Sequence, residues 1–331
     1  MTIDQERRRT LKCLAALAGI GLGAAHANCN PRRLGRASGR STVACARREK
    51  IVPSASGMLD SALLASMLGS AVARSVGTAS PEEAFRKLFR PTDVVGIKVN
   101  TLAGRGLSSR PEVVAQLVTW LGKARIPAER IVIWDRSDRE LSAAGFHLNR
   151  ASNGVRCFGT NDDYEWTPRE WGAGASCFAG VLVRELTALI NVGVLKDHDL
   201  AGISAGMKNL YGVIHNPNKY HDNGCSPYVA HLAAHPLIRD KLRLTVIDGL
   251  VAQCHGGPAR SPRWSWDFGG VLVSRDPVAV DAVAYKIIED RRRQQGLRSL
   301  VQEGREPKWI AEAAGLGLGE SRLGRIEMVK A

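Results

Sequence analysis

The feature that most limits what this chain can become is a series of short apolar segments, spaced by amphipathic ones, between Asp93 and Arg293. "DVVGIKVN" (Asp93 to Asn100), "RIVIWD" (Arg130 to Asp135), "ALINVGVL" (Ala188 to Leu195), "LRLTVIDGL" and "GGVLVS" are too short for buried helices and rich in β-branched residues, so they read as strands. "RPEVVAQLVTWLGKA" and "DPVAVDAVAYKIIEDRRR" carry apolar residues at helical spacing, the second beginning at about Pro277 with Asp276 as its cap. Upstream, "MLDSALLASMLGSAVARSVG" reads as a helix behind Asp60, and "SPEEAFRKLF" opens on Ser80, Pro81 and Glu83, a capped helix start. Strands that are apolar along their whole length need cover on both faces, which disfavours a one-sided sheet. The fold expected is therefore α/β, a layered fold with a mixed, largely parallel sheet flanked by helices. In such sheets ligands collect in the loops that leave the C-terminal strand ends.

The formal charge of +14 suits a nucleic-acid partner only if the chain stays in the cytoplasm. Its first residues argue otherwise. Arg7, Arg8 and Arg9 precede an apolar run from about Cys13 to Ala25, and Ala25-His26-Ala27 has the small-x-small pattern of a cleavage site, so residues 1–27 read as an export signal. The apolar run is shorter than the ~20 residues of a spanning helix, and no later segment reaches that length without charges. The mature form is expected to carry no transmembrane anchor. Arg7-Arg8 followed by Thr10-Leu11-Lys12 reads as a twin-arginine signal, with a general secretory signal as the other reading. The expected location is periplasmic or secreted, with the twin-arginine export machinery as a partner; that route carries folded proteins, often with a cofactor already inserted. Cleavage removes four basic and two acidic residues and leaves +12. No nucleic acid is expected as a partner there, and the charge points to a small anionic molecule. Residues 28–50, with Pro31, Arg32, Arg33, Gly35 and Gly39, read as a basic linker, and 51–331 as the α/β domain.

The seven cysteines, at positions 13, 29, 45, 157, 177, 225 and 254, form no Cys-x-x-Cys pair, so the chain has no iron-sulfur cluster motif and no zinc ribbon. Disulfides and buried free thiols both remain open for those outside the signal.

Polar residues gather at the strand ends. Lys98 and Asn100 leave "VVGIKVN"; Lys196, Asp197, His198 and Asp199 follow "LINVGVL"; Ser204, Lys208 and Asn209 lie on "GISAGMKNLYG", where a helix would put Ser204 and Lys208 on one face. His215, Asn218, His221 and Asn223 stand in "VIHNPNKYHDNG", and Asp248 precedes the His255–Pro258 turn "HGGP". Lys98, Lys196 and Lys208 beside the backbone of Gly206 make an anion site, because ammonium groups and free N–H groups both favour negative charge. His198 is the candidate general acid or base, since an imidazole titrates near neutrality. Lys196, Lys208 and Asp248 join it as catalytic candidates, with Asp248 orienting a base. Lys98, Asn100, Ser204, Gly206, Asn209, His221 and Asn223 are the substrate-binding candidates. A metal, if one binds, has His198, His221, Asp248 and Asp281 as candidate ligands. His231 and His235 in "HLAAH" have metal-binding spacing, but no Glu stands between them and structural roles are the stronger reading.

The stretch from about Asp93 to Arg293 resembles the domain of unknown function 362 family, particularly its exported members. The resemblance rests on "VVGIKVN", "KDHDLAGISAGMKNLYGVI", "NPNKYHDNGCSPYVA", "LRLTVIDGL", "HGGP" and "SRDPVAVDAVA", in that order. Many relatives carry a cysteine-rich ferredoxin module, which this chain lacks, and the family implies no settled reaction. Locally, "HDLAGISAGMKNLYG" is similar to the His-x-x-x-Gly-x-Ser-Gly-Gly-x-Lys stretch of the lactate racemase family, whose members hold a nickel-pincer nucleotide and move a hydride with histidine help. Ala205 replaces the first of the paired glycines. The similarity implies a pocket for phosphate or carboxylate beside a lysine and a histidine, and does not by itself imply nickel.

Three functions stay open. The first is an enzyme, oxidoreductase or racemase-like, that acts on a small anionic substrate by proton or hydride transfer with a bound metal ion or nucleotide-type cofactor. The second is a periplasmic anion-binding or accessory protein without catalysis, since no Gly-x-Ser-x-Gly or Walker motif is present. The third is a metal-dependent hydrolase using His198, His221, Asp248 and Asp281.

Overall fold

The five expected strands and the expected helices all form, in a computed structural model that describes residues 40–48, 51 and 59–331. The export signal expected over 1–27 and most of the linker expected over 28–50 lie outside the described residues. In chain order the elements used below are β1 (Ser41–Arg47), α1 (Ser61–Val76), α2 (Pro81–Leu88), β2 (Val95–Lys98), α3 (Pro111–Lys123), β3 (Ile131–Asp135), α4 (Asp138–Ala144), β4 (Arg156–Gly159), the hairpin of β5 (Arg169–Trp171) and β6 (Gly174–Ser176), and α5 (Gly180–Arg184). They continue with β7 (Ala188–His198), β8 (Gly202–Ser204), α6 (Tyr228–Ala234), β9 (Leu242–Gln253), β10 (Ser265–Trp266), β11 (Gly270–Ser274), α7 (Pro277–Gln294), α8 (Trp309–Gly315) and β12 (Ile326–Lys330).

Ten strands make one sheet in the order β12-β1-β11-β9-β7-β2-β3-β4, with β10 added to β9 and β8 to β7. The strands from β9 to β4 along this order run parallel. β11 and β1 continue the sheet antiparallel, and β12 closes it parallel to β1. The fold is thus α/β with a mixed, largely parallel sheet. From β2 the chain moves outward to β3 and β4, then returns to β7 on the other side of β2 and continues to β9. The loops leaving β2 and β7 therefore diverge, and a crevice opens at their C-terminal ends.

The period-two alternation of the strands supplies two apolar layers. Val95, Ile97, Ile190, Val192 and Val246 face Leu64, Phe85 and Val113 of α1, α2 and α3. Trp134, Leu189, Leu195, Ile247 and Leu272 face Val278 and Ile288 of α7, Trp309 of α8 and Val229 of α6. All eleven residues of β7 are buried, so it is the central strand by sequence pattern as well as by position. Each Leu, Ile or Val moved fully out of water contributes roughly 1.5–3 kcal/mol, before chain entropy is subtracted. Capping follows the sequence: Asp60 accepts from Leu63 N–H at 2.9 Å, Ser80 from Glu83 N–H at 3.2 Å, and Asp276 from the Val278 and Ala279 N–H groups at 2.8 Å.

Three expectations need correction. The linker over 28–50 contains β1, which pairs with both β11 and β12; its apolar residues Val43, Ala44 and Ala46 are small and signal weakly until those neighbours cover them. β7 runs three residues past Leu195, because Lys196, Asp197 and His198 pair with Ser204, Ile203 and Gly202 of β8. Ser204 is accordingly a strand residue and shares no helical face with Lys208, which lies on the 3-10 turn Met207–Val213. Cys45, Cys157, Cys177, Cys225 and Cys254 are free thiols, so among the described residues the free-thiol reading holds. No single helix there is long and apolar enough to cross a membrane.

Candidate functional site

The crevice between the ends of β2 and β7 is a cleft of about 500 Å³. Three structures build its walls: the ends of β2, β3 and β7, the 3-10 turn Met207–Val213, and the Pro217–His221 segment. Lys98, Asn100, Lys196, His198, Ser204, Lys208, Asn209 and His221, expected from sequence to form a site, all line it.

Lys98 is not a free cation. Its buried Nζ donates to Asp135 Oδ1 at 2.6 Å, to the Val99 carbonyl at 2.7 Å and to Asn209 Oδ1 at 3.4 Å, which uses all three of its protons. Asp135 ends β3 beside Lys98, and its other oxygen accepts from Thr101 N–H at 2.8 Å and from Thr101 Oγ1 at 2.6 Å. Gly212 leaves room for this pair, since a Cβ there would stand 2.7 Å from Lys98 Nζ. The Lys98–Asp135 pair is a neutral brace between β2 and β3. Arg136 and Glu140 at the cleft wall also cancel, at 2.8 Å.

Lys196 and Lys208 have no such partner. Lys196 Nζ donates to Asn100 Oδ1 at 3.1 Å and to the Leu107 carbonyl at 3.2 Å. Lys208 Nζ lies 3.9 Å from the Tyr211 ring centroid and 3.3 Å from His221 Nε2. Among the described residues neither ammonium makes a salt bridge to a carboxylate. Both are buried, and desolvation lowers each pKa from 10.5 to about 8. Asp199 stands at the mouth, with its side chain 62% exposed. Two positive charges deep in the cleft therefore face one solvated negative charge at its edge.

His198 is held neutral. Burial pushes its pKa down to about 2, helped by repulsion from Lys208, His221, Lys196 and Arg305. Its Nδ1 accepts the backbone N–H groups of Leu200 at 3.2 Å and Ala201 at 3.3 Å. The Asp199 carboxylate, 2.9 Å from the same Nδ1, would favour a proton there. Burial and the occupied lone pair outweigh one solvated carboxylate, so the ring proton sits on Nε2. The His221 ring stacks on that of His198 at 5.5 Å between centroids. Its Nδ1 lies 3.1 Å from the Asn218 carbonyl and carries the proton, which leaves Nε2 as acceptor for Lys208.

Other candidates stand elsewhere. The Gly206 N–H is not free for an anion, because it donates to Asp281 Oδ1 at 2.6 Å while Met207 N–H donates to Asp281 Oδ2 at 2.8 Å. Asp281 thus ties α7 to the turn that carries Lys208, and burial raises its pKa to about 7. Asp248 is likewise taken up, by Arg110 N–H at 2.9 Å and Leu250 N–H at 3.0 Å, and does not line the cleft. Asn223 adopts a left-handed conformation, donates to the Ser226 carbonyl at 3.2 Å and is also outside the lining. The metal set His198, His221, Asp248 and Asp281 is therefore not assembled, and no group of three His, Cys, Asp or Glu side chains suited to a metal occurs among the described residues. His231 accepts from Ala173 N–H at 3.0 Å and His235 from Leu237 N–H at 3.2 Å, both structural contacts.

Sequence reasoning missed Asp135, Thr101 and Arg305. Asp135 was visible only as an acid ending "RIVIWD", and its partnership depends on the β2–β3 register that pairs Lys98 with Trp134. Arg305 donates to the His198 carbonyl at 3.1 Å and Trp309 Nε1 to the Ala201 carbonyl at 3.1 Å, so the C-terminal segment buttresses the β7–β8 hairpin.

Comparison with curated proteins gives no match. The model of the family described as Domain of unknown function (DUF362) matches residues 95–286, more than half of the chain and the stretch that carries β2 to β11 and every lysine and histidine of the cleft. The chain belongs to the DUF362 family.

Proposed function

We propose that the protein is an enzyme that binds a small carboxylate or phosphate in this cleft and moves a proton on it. The observation that carries this reading is the pair of buried ammonium groups, Lys196 and Lys208, that share one cleft without a carboxylate partner. A buried charge is costly unless paired, and an anionic ligand is the partner such a cleft lacks. Lys196, held by Asn100, anchors the anion. Lys208 has a pKa near the working range, so in its charged form it also holds the anion, and the fraction that has released its proton to solvent acts as a base. His198 supplies a neutral Nε2–H donor to charge that develops on the substrate. Asp248 and Asp281 have structural roles in this scheme, each accepting from two backbone N–H groups.

The test is solvent exchange in D2O, followed by proton NMR, on small 2-hydroxy, 2-amino and 2-oxo acids. Loss of the C2-proton signal of a hydroxy or amino acid, or of the C3-proton signal of an oxo acid, with the wild type and not with a folded Lys208→Met variant, is the expected result. Anion affinity without exchange in any class would instead favour a binding protein without catalysis.

We further propose that the protein is exported, on the strength of Arg7–Arg9, the apolar run and Ala25-His26-Ala27. Mass spectrometry of the protein from the envelope fraction should find an N-terminus at about residue 28; an intact Met1 in cytoplasm would refute it.

A further inference from the structure

The cleft changes character from floor to rim. At the floor stand the ammonium groups of Lys196 and Lys208; at the rim stand Leu102, 52% exposed, and Leu200, 50% exposed, with Pro258 beside them. Isolated exposed leucines on a surface need no explanation. These two come from different loops, one following β2 and one following β7, and both line the single crevice that those loops flank. Leu200 is also fixed there, because its N–H donates to His198 Nδ1 and to Asp199 Oδ1 and the neighbouring Ala201 carbonyl is held by Trp309. A wholly polar substrate would give such a rim nothing to cover.

We infer that the ligand of this cleft is an amphiphilic anion, a carboxylate or phosphate that carries an apolar group long enough to reach the rim. The inference rests on the anion-binding reading above and adds to it the class of substituent. The charged head sits between Lys196 and Lys208, and the apolar part leaves along Tyr211 and rests against Leu102, Leu200 and Pro258. Covering the leucines removes apolar surface from water, so affinity rises with chain length until the chain passes the rim.

The experiment is calorimetric titration of the full chain with inorganic phosphate and with methyl, butyl and hexyl phosphate below their micelle concentrations, then acetate, butyrate and hexanoate. Affinity is expected to improve by up to about fourfold per methylene that is seated. Leu102→Ser/Leu200→Ser should keep the affinity for inorganic phosphate and lose most of the gain from the hexyl chain. Equal affinity for inorganic and hexyl phosphate, or a gain that survives the double serine variant, would overturn the inference and leave the anion site standing. Failure of every anion to bind would overturn both.

Discussion

Replacing Lys208 by methionine removes a buried charge for which the fold supplies no counter-ion, so the ligand-free protein should lose no stability at pH 7. The pKa of Lys208 lies at about 8 in the folded chain against 10.5 for an ordinary lysine. That difference corresponds to a cost of about 3 kcal/mol for holding the protonated form at pH 7. The Tyr211 ring returns about 1–2 kcal/mol of this through its face, and the His221 contact roughly 1 kcal/mol. Methionine fills a similar volume without the charge. The variant is therefore expected to match the wild type or exceed it by up to about 1 kcal/mol, a few degrees at most in melting temperature. Between about pH 8 and 10.5 the unfolded chain keeps the Lys208 proton that the folded chain has released, so this group makes the wild type more stable as pH rises through that window. Any advantage of the variant at pH 7 should have gone by pH 10. Urea unfolding in phosphate-free buffer at both values measures it. A variant less stable than the wild type by more than about 1 kcal/mol at pH 7 would show that Lys208 is there to hold the fold, and the reasoning about an absent anion would fail.

Further outcomes follow from the same contacts. Asp135→Asn leaves Lys98 buried without its counter-ion and should cost about 3–5 kcal/mol in urea unfolding; a loss under 1 kcal/mol would mean the pair is not a brace. Gly193→Ala would set a Cβ on the Ala205 carbonyl oxygen, so β7 and the turn behind it cannot both keep their places, and the variant should be recovered largely unfolded. The affinity for acetate, whose charge does not change in this range, should be steady from pH 6 to 7 and weaken above about pH 8, as Lys196 and Lys208 lose their protons. Affinity that is flat to pH 10 would place the anion elsewhere.

The α/β layering was legible because β2, β3, β7, β9 and β11 are apolar along both faces and α3 and α7 announce themselves by Pro111 and by Asp276 before Pro277. β1 was not, since "STVACAR" reads as polar linker until β11 and β12 pair with it. At the site, the rule that ligands gather at strand ends found Lys98, Lys196, His198 and Lys208. It could not tell which of these cations the fold neutralises, because the Lys98–Asp135 contact is set by strand register. Nor could it tell a cleft carboxylate from a structural one: Asp248 and Asp281 each spend their oxygens on backbone N–H groups that only the folded chain brings near. His198 reads as an acid or base by residue type, and the burial among positive neighbours that lowers its pKa depends on the fold.

Lys196 and Lys208 together are proposed to hold an anion. Calorimetric titration of phosphate into the wild type and into Lys196→Met/Lys208→Met at pH 7 tests it most directly. One site per chain is expected in the wild type, and no measurable heat of binding in a variant that remains folded by circular dichroism. Equal binding by both proteins, or a wild type that takes up no anion, would contradict it.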